Sequence, residues 1–229
     1  MHLGGIVVGS PAAETLTMGQ LVRELDAVVV SPDYRLAPEH PFPAALDDCM
    51  ATLLWIRENA DMLGVDPDRI AVGGTSAGAG LATIVAQRCH DEGISLRAQA
   101  LVAPMLDDRT VLRADHGGRG RFVWTPAANR FAWTAYLGHQ PGAADAPEYA
   151  VAARRKDLTG LPPAWIGVGD IDLFHDEDVK YAEQLEASGV PCELVVVPGM
   201  YHCAETFALK APSIKAFRRS MVEHLRTYL

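Results

Sequence analysis

Short apolar runs alternate along the chain with longer stretches in which apolar residues recur at every third or fourth position. Ala27-Val28-Val29-Val30 is a β-branched run that ends at Ser31-Pro32, and Ile70-Ala71-Val72-Gly73 is entered through the turn Asp66-Pro67-Asp68. Three further runs follow: Ala98 to Val102, Trp165 to Val168, and Glu193 to Val197. These runs are apolar at nearly every position rather than at alternate ones. That pattern predicts strands buried on both faces, hence a parallel sheet.

The stretches between them read as helices. From Ala44 to Ala60, the residues Leu46, Cys49, Met50, Leu53 and Ile56 fall at helical steps. Ala77 to Cys89 is small and apolar all round, as expected of a helix lying under a sheet. Glu177 to Ser188 is amphipathic and closed by Gly189, and Pro212 to Tyr228 predicts a basic-faced terminal helix. Strands alternating with helices give the α/β class, as one domain over residues 1–229. Residues 107–161 break the rhythm with Trp124, Trp133, Tyr136 and several prolines. They predict a lid-like insertion over the C-terminal edge of the sheet.

Composition narrows the function classes. The chain has 229 residues, 20 Lys and Arg against 29 Asp and Glu, and a formal net charge of −9. Binding to nucleic acid rests on neutralising phosphates, so this balance argues against it and against an anionic membrane surface. No stretch has the length and apolarity of a membrane span, and no signal peptide is visible. Cys49, Cys89, Cys192 and Cys203 form no C-x-x-C pair and no zinc spacing. They read as reduced thiols of a cytoplasmic protein, and no metal or organic cofactor is expected.

Gly74-Thr75-Ser76-Ala77-Gly78 follows a predicted strand and opens a predicted helix. A G-x-S-x-G run in that setting places a serine hydroxyl on a taut strand-to-helix turn, where side chains at the flanking positions would crowd it. The helix that starts at Ala77 also points its first amides toward a developing oxyanion.

With these residues the chain resembles the hormone-sensitive lipase family of α/β-hydrolase esterases, in particular bacterial carboxylesterases of the acetyl- and heroin-esterase kind. Asp33-Tyr34-Arg35-Leu36-Ala37-Pro38-Glu39 is similar to that family's signature run, and Asp66 to Ile70 leads into the elbow as the family does. The resemblance implies an oxyanion loop at His2-Leu3-Gly4-Gly5, with the amides of Gly4, Gly5 and Ala77 as donors. Leu3 departs from the family's H-G-G-G and stands as a pocket candidate. The run Gly169 to Glu177 lines up with D-P-L-R-D-E, which implies Asp172 as the catalytic carboxylate, with Asp170 as its rival. Pro198 to His202 implies His202 as the base, followed by Cys203 where a glycine is usual. The chain order Ser76, Asp172, His202 is that of α/β-hydrolases. The implied activity is hydrolysis of small-molecule carboxylic esters, with short acyl chains as the family's expectation. Phe122, Trp124 and Phe174 are candidates for the pocket wall, whereas Trp133 reads equally well as lid core. A non-catalytic small-molecule-binding relative and an inactive fragment are the rival readings.

In the resembled family the oxyanion loop follows a third strand that lies between the fourth and fifth. Here the loop starts at His2. The sequence therefore predicts a gap in the sheet beside the strand that carries Ser76, an open lid side, and edges that promote self-association. A longer natural N-terminus, a sheet rearranged or completed by another chain, and a decayed fragment are the three readings open at this point.

Overall fold

The computed structural model describes residues 1–229. Four strands, β1 (Ala71–Thr75), β2 (Ala98–Val102), β3 (Ala164–Gly169) and β4 (Cys192–Val197), form one sheet in the order β1-β2-β3-β4. Every pair is parallel, with Gly73 opposite Ala100, Leu101 opposite Ile166, and Gly167 opposite Val195. The helices are α1 (Thr15–Leu25), α2 (Ala44–Glu58), α3 (Ala60–Leu63), α4 (Ala77–Asp91), α5 (Pro126–Leu137), α6 (His175–Ala187), α7 (Ala204–Phe207) and α8 (Pro212–Tyr228).

Side chains on a strand alternate between faces, and this sheet is buried on both. Leu101 and Ile166 point toward α4 and α6, with α2 packed outside α4. Ala98, Ala100, Val102 and Trp165 point toward Ile214, Phe217, Met221 and Leu225 of α8. Trp165 is fully buried, stands edge-on to Phe217 at 4.9 Å, and donates its indole N–H to Ser220 Oγ. Burying such a ring contributes about 2–3 kcal/mol, and the hydrogen bond removes the cost of an orphaned indole N–H. Each α-helix other than α3 and α7 is long enough to cover the sheet or a neighbouring helix with one face.

Four of the five predicted strands form. The fifth, Ala27–Val30, does not: it lies outside the sheet, and Val28 and Val30 are 51% and 37% exposed. The β-branched composition favours an extended backbone, but a strand also needs a neighbour, and β1 has none on that side. Within residues 1–229, β1 is thus an edge strand of the sheet. Helix α1 was not foreseen, although Met18, Leu21 and Leu25 recur at helical steps; it buries no residue fully.

Residues 107–161 contain α5 and two short 3-10 turns, Asp108–Leu112 and Ala152–Arg154. The Gly120 amide donates to the Ile171 carbonyl, and Arg113 and Arg119 both pair with Asp176 at the start of α6. Residues 107–161 are therefore tied to the turn that follows β3.

Candidate active site

Three turns at the C-terminal end of the sheet converge. The first follows β1, where Ser76 has φ 58° and ψ −122°, a left-handed conformation that a residue with a side chain rarely adopts. It is held there from three directions. Its amide donates to Val102 O on the neighbouring strand, and its carbonyl accepts from Gly80 and Met105 amides. The elbow also needs a close backbone approach: a Cβ on Gly78 would lie 2.2 Å from the Met1 carbonyl oxygen. Only glycine fits there.

The second turn follows β3 and carries Asp172; the third follows β4 and carries His202. His202 Nε2 lies 2.9 Å from Ser76 Oγ, and His202 Nδ1 lies 2.8 Å from Asp172 Oδ2. Asp172 Oδ1 accepts from the Phe174 amide at 2.9 Å, so both carboxylate oxygens are used. All three side chains are at most 2% exposed. The rival, Asp170, accepts from the Gly199 amide and makes no hydrogen bond to the imidazole, whose Nδ1 is taken by Asp172. Burial pushes the His202 imidazole down, but the Asp172 carboxylate and the Cys203 sulfur beside it together hold it well above its ordinary value. Cys203 is buried next to it at φ 59°, where a glycine would sit without strain, and burial raises its thiol.

Opposite the serine lies the loop His2 to Gly5. Gly5 has φ 65°, and a Cβ there would meet the Trp124 ring at 2.4 Å. The amides of Gly4, Gly5 and Ala77 donate to no protein acceptor, the last because it is the first residue of α4. His2 is an anchor. Its ring stacks on Tyr34 at 4.1 Å, Nδ1 meets Leu3 O, and its own carbonyl accepts from the Tyr34 hydroxyl at 2.6 Å. Leu3 is half-buried and its amide donates to Glu14 Oε1 at 2.9 Å. Burial raises the Glu14 carboxyl despite the Met1 ammonium nearby.

Of the predicted pocket residues, Trp124 lies 6.1 Å from the His202 ring and Phe174 stands edge-on to it at 5.2 Å, fully buried. Trp124 is held by a bond from its indole N–H to Asn129. Phe122 is more than half exposed and meets Tyr201, at the edge of the site. Trp133 is buried against Tyr136, within the insertion. Sequence reasoning missed Glu14, which no motif marks, and the use of Tyr34 as a strut. It also left open what Glu177 does. That carboxylate is buried and accepts from the Leu106 and Asp107 amides and from Thr110 Oγ1, fixing the loop behind the elbow.

The matching family model describes the alpha/beta hydrolase fold and covers residues 1–206. The chain belongs to the α/β-hydrolase fold family. Among the chain's relatives, the carboxylesterase NlhH of Mycobacterium tuberculosis is 38% identical over 218 residues, covering 92% of this chain and 65% of its own. An arylesterase of Saccharolobus solfataricus is 31% identical over 202 residues, with 88% and 65% covered. Among solved structures, a bacterial heroin esterase superposes with a TM-score of 0.93 at 35% identity, covering 100% of this chain and 73% of that chain. The chain thus spans 65% of the length of these two curated relatives. No helix of it is long and apolar enough to cross a membrane.

Proposed function

We propose that this protein is a carboxylic ester hydrolase that works through an acyl-enzyme on Ser76. The observation that carries the reading is the unbroken relay from Ser76 Oγ to His202 Nε2 at 2.9 Å and from Nδ1 to Asp172 at 2.8 Å. His202 takes the serine proton as Oγ attacks the ester carbonyl. Asp172 keeps the imidazole in the correct tautomer and stabilises it once charged. The free amides of Gly4, Gly5 and Ala77 receive the negative charge of the tetrahedral oxygen. The alcohol departs with the proton from His202, and a water activated by the same ring releases the acid.

Residues 107–161 act as a cap over this site, with Trp124 and Phe174 limiting the room beside the imidazole. That favours esters of short acyl chains. The relatives named carboxylesterase and arylesterase support the same class. Four free cysteines fit a reducing compartment such as the cytoplasm.

A fluorophosphonate probe and p-nitrophenyl esters of rising acyl length test this reading together. Labelling of Ser76, lost in Ser76→Ala, and fastest turnover on acetate or butyrate are expected. A hydrolase that neither labels nor turns over any ester of the series would be a binding protein or an inactive chain instead.

A further inference from the structure

Beside the oxyanion loop stands a side chain whose hydrogen bonds are half used. Asn129 lies near the start of α5 and is 1% exposed. Its Oδ1 accepts from the Trp124 indole N–H at 3.3 Å, while its Nδ2 donates to no protein acceptor. The orientation of this amide is fixed by chemistry. An indole nitrogen donates and never accepts, so the oxygen must face Trp124 and the NH2 group must point elsewhere. Holding the ring needs the acceptor alone, and a buried donor without a partner is costly. The ring itself stands at the reacting groups, 6.1 Å from the His202 ring between centres. A Cβ on Gly5 would lie 2.4 Å from Trp124 Cη2 and 3.2 Å from Cζ2, the six-ring carbon on the N–H side of the indole. It would also lie 3.2 Å from Ala132 Cβ, and Ala132 follows Asn129 by one helical turn on the same face of α5. The Asn129 amide is therefore one indole edge away from the loop opposite Ser76.

An ester placed on Ser76, with its carbonyl oxygen on the amides of Gly4, Gly5 and Ala77, has its substituents beside this ring. A plain alkyl substituent leaves the Asn129 donors unpaired. A substituent with an ether or carbonyl oxygen can pair with them, and a site built to hydrogen-bond an oxygen discriminates against the analogue that lacks it. We propose that Asn129 is a specificity-determining residue whose NH2 group binds an ether or carbonyl oxygen of the substrate, a few bonds from the ester carbon. The preferred substrates are then oxygen-bearing esters rather than alkyl esters of the same shape. This rests on the esterase reading above and names its substrate class. Trp124 has a second part in it, because its N–H keeps the amide from turning over.

Isosteric pairs that exchange one methylene for oxygen test this on either side of the ester. They are p-nitrophenyl methoxyacetate against p-nitrophenyl butyrate for the acyl side, and methoxyethyl acetate against butyl acetate for the alcohol side. Binding is read without turnover, by NMR on isotope-labelled Ser76→Ala. The side-chain amide protons of Asn129, assigned through their bonds to its backbone, should shift saturably with the ether ester of one pair and not with its alkyl partner. In turnover, Asn129→Leu should lower kcat/KM on that ether ester at least about fivefold relative to its isostere. Taking the ratio of variant to parent cancels the intrinsic reactivity of the two esters. Trp124→Phe keeps an aromatic ring and frees the amide to turn, so the same ratio should fall about twofold. Amide shifts that do not distinguish the members of either pair, or equal losses on both members in the two variants, overturn the proposal and leave Asn129 as a brace for Trp124. Selective shifts in a protein whose parent turns over no ester overturn the esterase reading alone.

Discussion

The two halves of the active site are held by different means. Ser76, Asp172 and His202 stand on turns that follow β1, β3 and β4, within one sheet of continuous parallel ladders. The loop from His2 to Gly5 is held differently. It hangs on single contacts: the Tyr34 ring and hydroxyl on His2, and Glu14 on the Leu3 amide. A ladder is cooperative, because a slip of one residue turns every side chain to the other face and is therefore excluded. Separate side-chain bonds contribute about 1 kcal/mol each and can be lost one at a time. The proposed proton relay is thus built into the sheet, while the proposed oxyanion site is a set of local attachments.

The sharpest break is expected in the relay. Asp172→Asn leaves the turn intact, since the side-chain oxygen can still accept from the Phe174 amide. The amide nitrogen then faces His202 Nδ1 and favours the wrong tautomer. A fall in kcat of about 10⁴ is expected with an unchanged thermal midpoint. A loss below tenfold would give the orienting role to another group. In the loop the expected break is far smaller. Tyr34→Phe keeps the stack on His2 and removes only the hydroxyl that holds its carbonyl. Losing about 1 kcal/mol of restraint should lower kcat about fivefold to tenfold and leave KM unchanged. A change in KM alone would mean that Tyr34 shapes the substrate pocket and not the oxyanion loop.

The same contrast explains what the sequence disclosed. The runs that became β2, β3 and β4 were legible because they are apolar at nearly every position, and the two turns with Ser76 and His202 because few residue types fit a strained bend after a buried strand. Ala27–Val30 looked the same and failed, since composition states a preference for extension and says nothing about a missing neighbour. Asp172 and Asp170 could not be separated by spacing from the strand; which carboxylate reaches the imidazole depends on the turn at Asp172 and its bond from Phe174. Glu14 was illegible because it acts across space on the Leu3 amide, from the short turn Pro11–Glu14 before a helix that itself buries no residue fully.

A pH profile sharpens the relay half further. His202 must be neutral to accept the serine proton, and against the effect of burial Asp172, with Cys203 beside it, holds the imidazole well above its ordinary value of about 6.5. Raised in this way, the base becomes available only at higher pH. The limb of kcat/KM on p-nitrophenyl acetate should therefore rise with a midpoint above about 6.5, and should move down in Asp172→Asn, measured on its residual activity. A wild-type midpoint below that value would contradict the strength of the pair.

The smallest effect is expected behind the elbow, where Glu177 fixes Leu106 and Asp107, one residue beyond the Met105 amide that holds the Ser76 carbonyl. Burial pushes its carboxyl up to about 8, against the hydrogen bonds from Thr110 and the two amides. The folded state then holds a proton that the unfolded chain releases near its ordinary value of about 4.3. Linkage makes this contribution fully present below that value and lost as pH rises toward about 8. Glu177→Gln keeps an oxygen for both amides and removes the titration. Its thermal midpoint should match the parent or fall slightly below it near pH 5, and overtake it near pH 8. A difference between the two that does not vary with pH would show that Glu177 stays ionised throughout, held by its three donors. In that case the loop behind the serine is braced by a buried charge, and the relay half, like the oxyanion half, depends on an attachment outside the sheet.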